Sequence, residues 1–314
     1  MTLSPAAPGA PLAEGRPQAL NRPDLAPAES GAPANPARPP SSRHWVHDRL
    51  RALTRGRGLV GAITVGIVVL LGVFAPLLAP YAPDEQIPGA NLLGPSAQHW
   101  LGTDAVNQDL FSRTLYGIRI DLLIIATAVP IGAVVGSELG LASALWTRLD
   151  GLVQRTFDLI LAFPAVLLGI ALAMVLGPGF GTVITIVALT EIPIFGRLVR
   201  TTALRVRELP YVEPAQVSGA GKLWILRRHI LPNAVDPLLV QLGLAMSIAV
   251  FVEGAMSFLG LGVVPPEPSL GSLINEGAAY AYHAPFFAVG PLVVVMALTL
   301  GLLLISQAFS RAIR

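Results

Sequence analysis

Uncharged apolar runs recur from residue 59 to the C-terminus, most of them close to the roughly 20 helical residues that cross a bilayer's hydrocarbon core. The first covers 59–79. The second, 122–146, is broken by Glu138. Residues 159–190 carry no charge, too long a stretch for one ordinary span, and its middle reads Gly177-Pro178-Gly179-Phe180-Gly181, a dense turn signal. It divides into spans at 159–176 and 182–200, the latter holding Glu191. A fifth run, 237–259, contains Glu253, and a sixth covers 286–305. Lipid offers no water to backbone N–H and C=O groups, so each run is predicted to pair its own as a helix. The pattern predicts an all-α integral membrane protein with six transmembrane helices.

Ahead of the membrane domain, 59–314, lie two further segments. Residues 43–58 are basic. Residues 1–42 are rich in Pro, Ala and Gly with few large apolar side chains, and are predicted to form a disordered cytoplasmic tail. The tail does not read as a secretory signal, whose charged start runs straight into an apolar stretch.

Arginine and lysine orient the bundle, because cytoplasmic loops close to spans hold their excess. Arg43, Arg49, Arg51, Arg55 and Arg57 precede the first span. Arg148 and Arg155 lie between the second and third. Arg205, Arg207, Lys222, Arg227 and Arg228 lie between the fourth and fifth, and Arg311 and Arg314 follow the last. The loops between spans three and four and between spans five and six carry none. Both termini are therefore expected in the cytoplasm. The segment 81–120 is then external although it holds Arg113 and Arg119.

Composition agrees with a membrane chain and removes several functions. The protein is 53% hydrophobic and 13% charged, where a soluble domain carries about 25% charge. A net charge of +2 is too small to indicate nucleic-acid binding. Cysteine is absent, which rules out disulfides and thiol chemistry. His44, His47, His99, His229 and His283 lack the spacing of a zinc motif, so no metal site is expected. No GxxxxGK[ST] loop is present, so ATP is not bound here in the P-loop manner.

The longest connection on the expected cytoplasmic side, 201–236, reads as a rigid element. Glu213 and Pro214 suit a first helical turn within Tyr211-Val212-Glu213-Pro214-Ala215-Gln216-Val217-Ser218, and Gly219-Ala220-Gly221 suits its stop. A second basic helix, 222–230, is expected to end near Leu231-Pro232-Asn233. Helix, glycine turn and helix together can enter a partner's groove.

These residues resemble the EAA loop of ABC importer permeases: Glu213-Pro214-Ala215, then Gly219, then Leu231-Pro232. Pro214 replaces the usual first alanine and His229 the usual isoleucine. His229-Ile230-Leu231-Pro232-Asn233 is similar to the form in the dipeptide, oligopeptide and nickel branch. Leu101-Gly102-Thr103-Asp104 with Asp109, Ser112-Arg113 and Tyr116-Gly117-Ile118-Arg119 resembles that branch's external segment, with Gln108 where arginine is usual. Ser257-Phe258-Leu259-Gly260-Leu261-Gly262, Pro265-Pro266 and Pro268-Ser269-Leu270-Gly271 resemble its stretch after span five, with Leu270 where tryptophan is common, and Phe157-Asp158 and Phe163-Pro164 its third span. The resemblance covers about 45–314.

The resemblance implies the methionine-permease-like fold of type I importer membrane domains and the C-type permease subunit. It implies a second permease subunit, two ATPase subunits that carry ATP and Mg, and an extracytoplasmic solute-binding protein, all at a bacterial inner membrane. The expected function is translocation of di- or oligopeptides or similar small solutes, with no cofactor bound by this chain. The expected ATPase-coupling residues are Glu213, Pro214, Ala215, Ser218, Gly219, His229, Leu231 and Pro232.

Glu138, Glu191 and Glu253 are candidates for the translocation path, because a charge inside a span is costly and needs a partner or water. The other reading of each is a position near a span end or a tie between helices. Gly132 and Gly136 read as a close-packing pair. Two other functions compete. An ion-coupled secondary transporter would use the membrane carboxylates as coupling sites. An intramembrane enzyme would need a convergent nucleophile and base, and no such motif is present.

Overall fold

The computed structural model describes residues 53, 54, 56–209, 219 and 221–312. The tail 1–42, most of the basic segment after it, and Glu213, Pro214, Ala215 and Ser218 lie outside them. The described chain is helical: α1 Gly56–Val73, α2 Ala75–Leu78, α3 Leu110–Leu145, α4 Thr147–Leu161, α5 Ala165–Leu176 and α6 Phe180–Arg207. Then follow α7 Lys222–Ile225, a π-helical turn Leu226–Ile230, α8 Leu231–Phe258, α9 Leu270–Ala279 and α10 Phe286–Ala312. Five of these helices are long and apolar enough to cross a membrane, α8 together with the end of the π turn among them; α4 with α5 makes a sixth if the bent pair is one span.

Two elements differ from the hydropathy pattern for identifiable reasons. The second span begins at Leu110 rather than near 122. Asp109 caps it by accepting from the Ser112 N–H at 2.8 Å, and Arg113 and Asp121 are buried in the helix instead of solvated. At 36 residues α3 is about 54 Å long, well beyond the hydrocarbon thickness. The third span breaks: α4 and α5 meet at 91°. Pro164 disfavours helical backbone at Phe163 before it, and itself caps α5. With 12 residues, about 18 Å, α5 is too short to span alone. Gly177 (φ +81°) and Gly179 (φ +146°) then turn the chain into α6.

The core forms around α3. Ile124, Ala128 and Val129 of α3 pack with Val183, Ile186 and Val187 of α6, with Ala245, Ala249 and Met256 of α8, and with Leu298 of α10. Gly132, Gly136 and Gly140, spaced one helical turn apart, lay α3 directly on the backbone of α6 at Ala188, Ile192 and Gly196. At another seam, Gly61 of α1 meets the Gly301 carbonyl of α10. The outer faces stay apolar, with Val60, Ile63, Ile67 and Leu70 on α1 and Met174 and Val175 on α5 exposed. Such faces would be a liability in water and suit lipid.

Candidate functional site

At the arginine-rich end, α6 runs to Arg207 and is closed by the Glu208 N–H on the carbonyls of Arg205 and Val206. Across the undescribed 210–218, Gly219 has φ +80°, a backbone region that a β-carbon makes costly. Ile225, Leu226 and Ile230 of α7 and the π turn bury against Ala203 and Val206 of α6 and Ala144 of α3. Arg207 donates to the Ala144 carbonyl at 2.9 Å. The loop's second half is thus fastened to two spans.

The expected helix end near Leu231-Pro232 is absent. Leu231 is helical and its N–H bonds the Leu226 carbonyl, five residues back. This wider turn accommodates Pro232, which lacks an N–H and would clash in a regular α-turn. The chain continues as helix to Phe258. Trp224 and His229 pack edge to face at 5.2 Å, and the Asn233 amide donates to the His229 carbonyl at 2.7 Å. Leu231, Pro232, Asn233 and Trp224 are exposed.

Ion pairs tie α6 to α4 at this end. Arg200 holds Asp150 through two bonds of 2.6 and 2.7 Å, and Arg197 pairs with Asp158. Asp150 precedes the apolar part of its span.

The opposite end is a folded cap. Gly102 (φ +83°) sits where a β-carbon would lie 2.5 Å from the Leu93 carbonyl. Thr103 accepts from the Leu93 N–H at 2.8 Å, and Asp104 from the N–H groups of Val106 and Gln108. Arg113, 4% exposed, pairs with Asp104 and with Glu276 of α9. His99 contacts Asp109 at 2.9 Å. Arg113 is therefore a structural cation in the cap, which explains an arginine in a segment read as external. A cavity of about 500 Å³ lies beneath the cap, between Leu71, Phe111, Leu115, Phe286 and Val293. Its lining is almost wholly apolar and offers little to hold a charged solute.

The three span carboxylates occupy different settings. Glu138 is exposed on the outer face of α3 beside Val134, Val135 and Leu139. Glu191, 2% exposed, lies in the α3–α6 seam against Gly132, and its Oε2 has no partner. Glu253, 1% exposed, accepts from the Ser257 hydroxyl at 2.7 Å and meets Asp121. Sequence reasoning missed Asp121 because it sits one residue before the uncharged run. The Asp109-x-x-Ser112 cap was the available signal, since a helix starting there carries Asp121 into the bundle. Among the described residues no group of three or more His, Asp or Glu side chains could hold a metal ion.

With this geometry in place, the comparisons with known proteins assign the chain to a family. The chain belongs to the family of binding-protein-dependent transport system inner membrane components, whose model matches residues 128–314. Within it, residues 53–95 match the N-terminal transmembrane domain of oligopeptide transport permease C. The dipeptide transport system permease protein of Alkalihalophilus pseudofirmus is 36% identical over 256 residues, covering 81% of this chain and 84% of that one. A putative peptide transport system permease protein of Brucella suis is 39% identical over 235 residues, covering 74% and 79%. The glutathione transport system permease protein of Escherichia coli is 36% identical over 257 residues, covering 81% and 85%. The MetNI methionine ABC transporter, solved in inward facing conformations, shares the fold, with a TM-score of 0.51 at 17% identity over 64% of this chain and 96% of that one. The chain is a multi-span permease component.

Proposed function

We propose that this chain is the C-type permease of a peptide importer, paired with a second permease subunit in a bacterial inner membrane with both termini in the cytoplasm. Two ATPase subunits bind and hydrolyse ATP with Mg, and an extracytoplasmic binding protein delivers the solute. This chain binds no cofactor. The names of the peptide, dipeptide and glutathione relatives support the cargo class.

The observation that carries the coupling role is continuity. The loop's second half is buried on α6 through Ile225, Leu226 and Ile230 and runs without a break into α8. A push on Glu213, Pro214, Ala215, Ser218 or Gly219 from an ATPase would reach α8 through His229, Leu231 and Pro232, so closure of the ATPases can rock the bundle between inward and outward openings. Glu138, Glu191 and Glu253 remain the path candidates. Glu191, which has a partnerless buried oxygen and no second carboxyl against it, is the candidate that favours contact with a solute ammonium after a shift of α3 on α6.

The test is reconstitution in liposomes with the partner permease, the ATPase pair and a peptide-loaded binding protein. Peptide-stimulated ATP turnover and uptake are expected. Gly219→Val, which forces a branched side chain to φ +80° at a cost of about 1–2 kcal/mol, should lower uptake per ATP. Uptake that persists without the ATPases would favour an ion-coupled carrier instead.

A further inference from the structure

Asp121 of α3 and Glu253 of α8 are 0% and 1% exposed and meet side chain to side chain near the start of α9. One oxygen of each is satisfied. Asp121 Oδ2 accepts from the Leu270 N–H at 3.3 Å, at the start of α9, and Glu253 Oε1 accepts from the Ser257 hydroxyl at 2.7 Å. The other oxygen of each, Asp121 Oδ1 and Glu253 Oε2, is buried with no donor. Among the described residues neither carboxyl pairs with Lys, Arg or His.

Two ionised carboxylates cannot stand in contact inside an apolar bundle, because desolvation and like-charge repulsion both oppose it. The two oxygens without donors lack what a single proton supplies, one donor for one acceptor. We propose that Asp121 and Glu253 bind one proton between them, forming a carboxyl–carboxylate bridge that locks α3, α8 and the start of α9 together. The remaining negative charge is met by the Ser257 O–H, the Leu270 N–H and the N-terminal end of α9. Ser269 accepts from the Ser272 N–H and Ser272 from the Ser269 N–H in a capping box at the same helix end.

The surrounding backbone is built for this contact. A β-carbon on Gly117 would lie 3.2 Å from the Leu270 nitrogen, and one on Gly271 would lie 2.4 Å from the Gly254 carbonyl. Both glycines bring α9 onto α3 and α8 where the carboxyls meet. This gives Glu253 the helix-tying role, the alternative to a place on the translocation path.

The experiment is infrared spectroscopy of the full chain assembled with its partners in lipid, with carboxyl-labelled aspartate and, separately, glutamate. The wild type is expected to show the C=O band of a protonated, hydrogen-bonded carboxylic acid at neutral and mildly alkaline pH. Asp121→Asn and Glu253→Gln should each abolish that band, yet keep assembly and thermal stability close to wild type, since an amide N–H replaces the shared proton. Asp121→Ala with Glu253→Ala should lose stability, because the cluster's remaining donors are left unpaired. Absence of the band in the wild type, which needs no variant to fold, overturns the proposal. So does a sodium-dependent rise in stability without the band, which would assign the site to a metal cation.

Discussion

Gly140 of α3 rests on the carbonyl of Gly196 of α6 so closely that a β-carbon at Gly140 would lie 2.0 Å from that oxygen. Gly136 repeats the relation one turn earlier, at 2.3 Å from the Ile192 carbonyl. The Phe157 ring of α4 lies over Gly196 from another side, 2.5 Å from where its β-carbon would be. At Gly136 and Gly140 backbone meets backbone, so at these two positions no side chain can move aside.

Gly140→Val is therefore expected to force α3 and α6 apart. Overpacking of a filled core costs about 1–3 kcal/mol, and a contact with backbone lies at the upper end. Thermal unfolding of the purified chain should show a clear drop. Gly66→Val, where a β-carbon meets nothing within 4 Å, should not show it.

Removing the guanidinium in Arg113→Ala leaves Asp104, 1% exposed, as a buried carboxylate without its cation. Breaking one side of a buried pair costs about 3–5 kcal/mol. The cap between 79 and 109 should then open, read as faster proteolysis of that segment. Asp104→Asn combined with Arg113→Met should recover part of the loss, because neither partner is then left charged.

Glu191→Gln removes the charge from the α3–α6 seam while keeping its volume. If Glu191 meets a solute's ammonium, uptake of peptides with a free N-terminus should fall severalfold relative to N-acetylated ones. An unchanged ratio between the two would remove Glu191 from the path.

The apolar runs made the spans legible, because a bilayer demands uncharged length and nothing else. The seam was half legible: Gly132 and Gly136 stood out, but Gly196, on which Gly140 rests, shows no pattern in its own neighbourhood. Arg113 and Asp121 hid the start of α3, since hydropathy counts a buried paired charge as if it were solvated. Pro232 marked a helix end where the helix instead continues, because a five-residue π turn makes room for the ring. The Asp121–Glu253 contact joins residues 132 positions apart by number, and spacing in sequence carries no trace of it.

The coupling role of the loop can be measured directly because the chain contains no cysteine. Gln216→Cys introduces a single thiol between Glu213 and Gly219, and a membrane-impermeant maleimide and a short crosslinker report its surroundings in the assembled transporter. The account predicts labelling from the cytoplasmic side alone and a crosslink to an ATPase subunit whose yield changes with ATP. Labelling from outside the cell, or an ATPase subunit that is never captured, would contradict it.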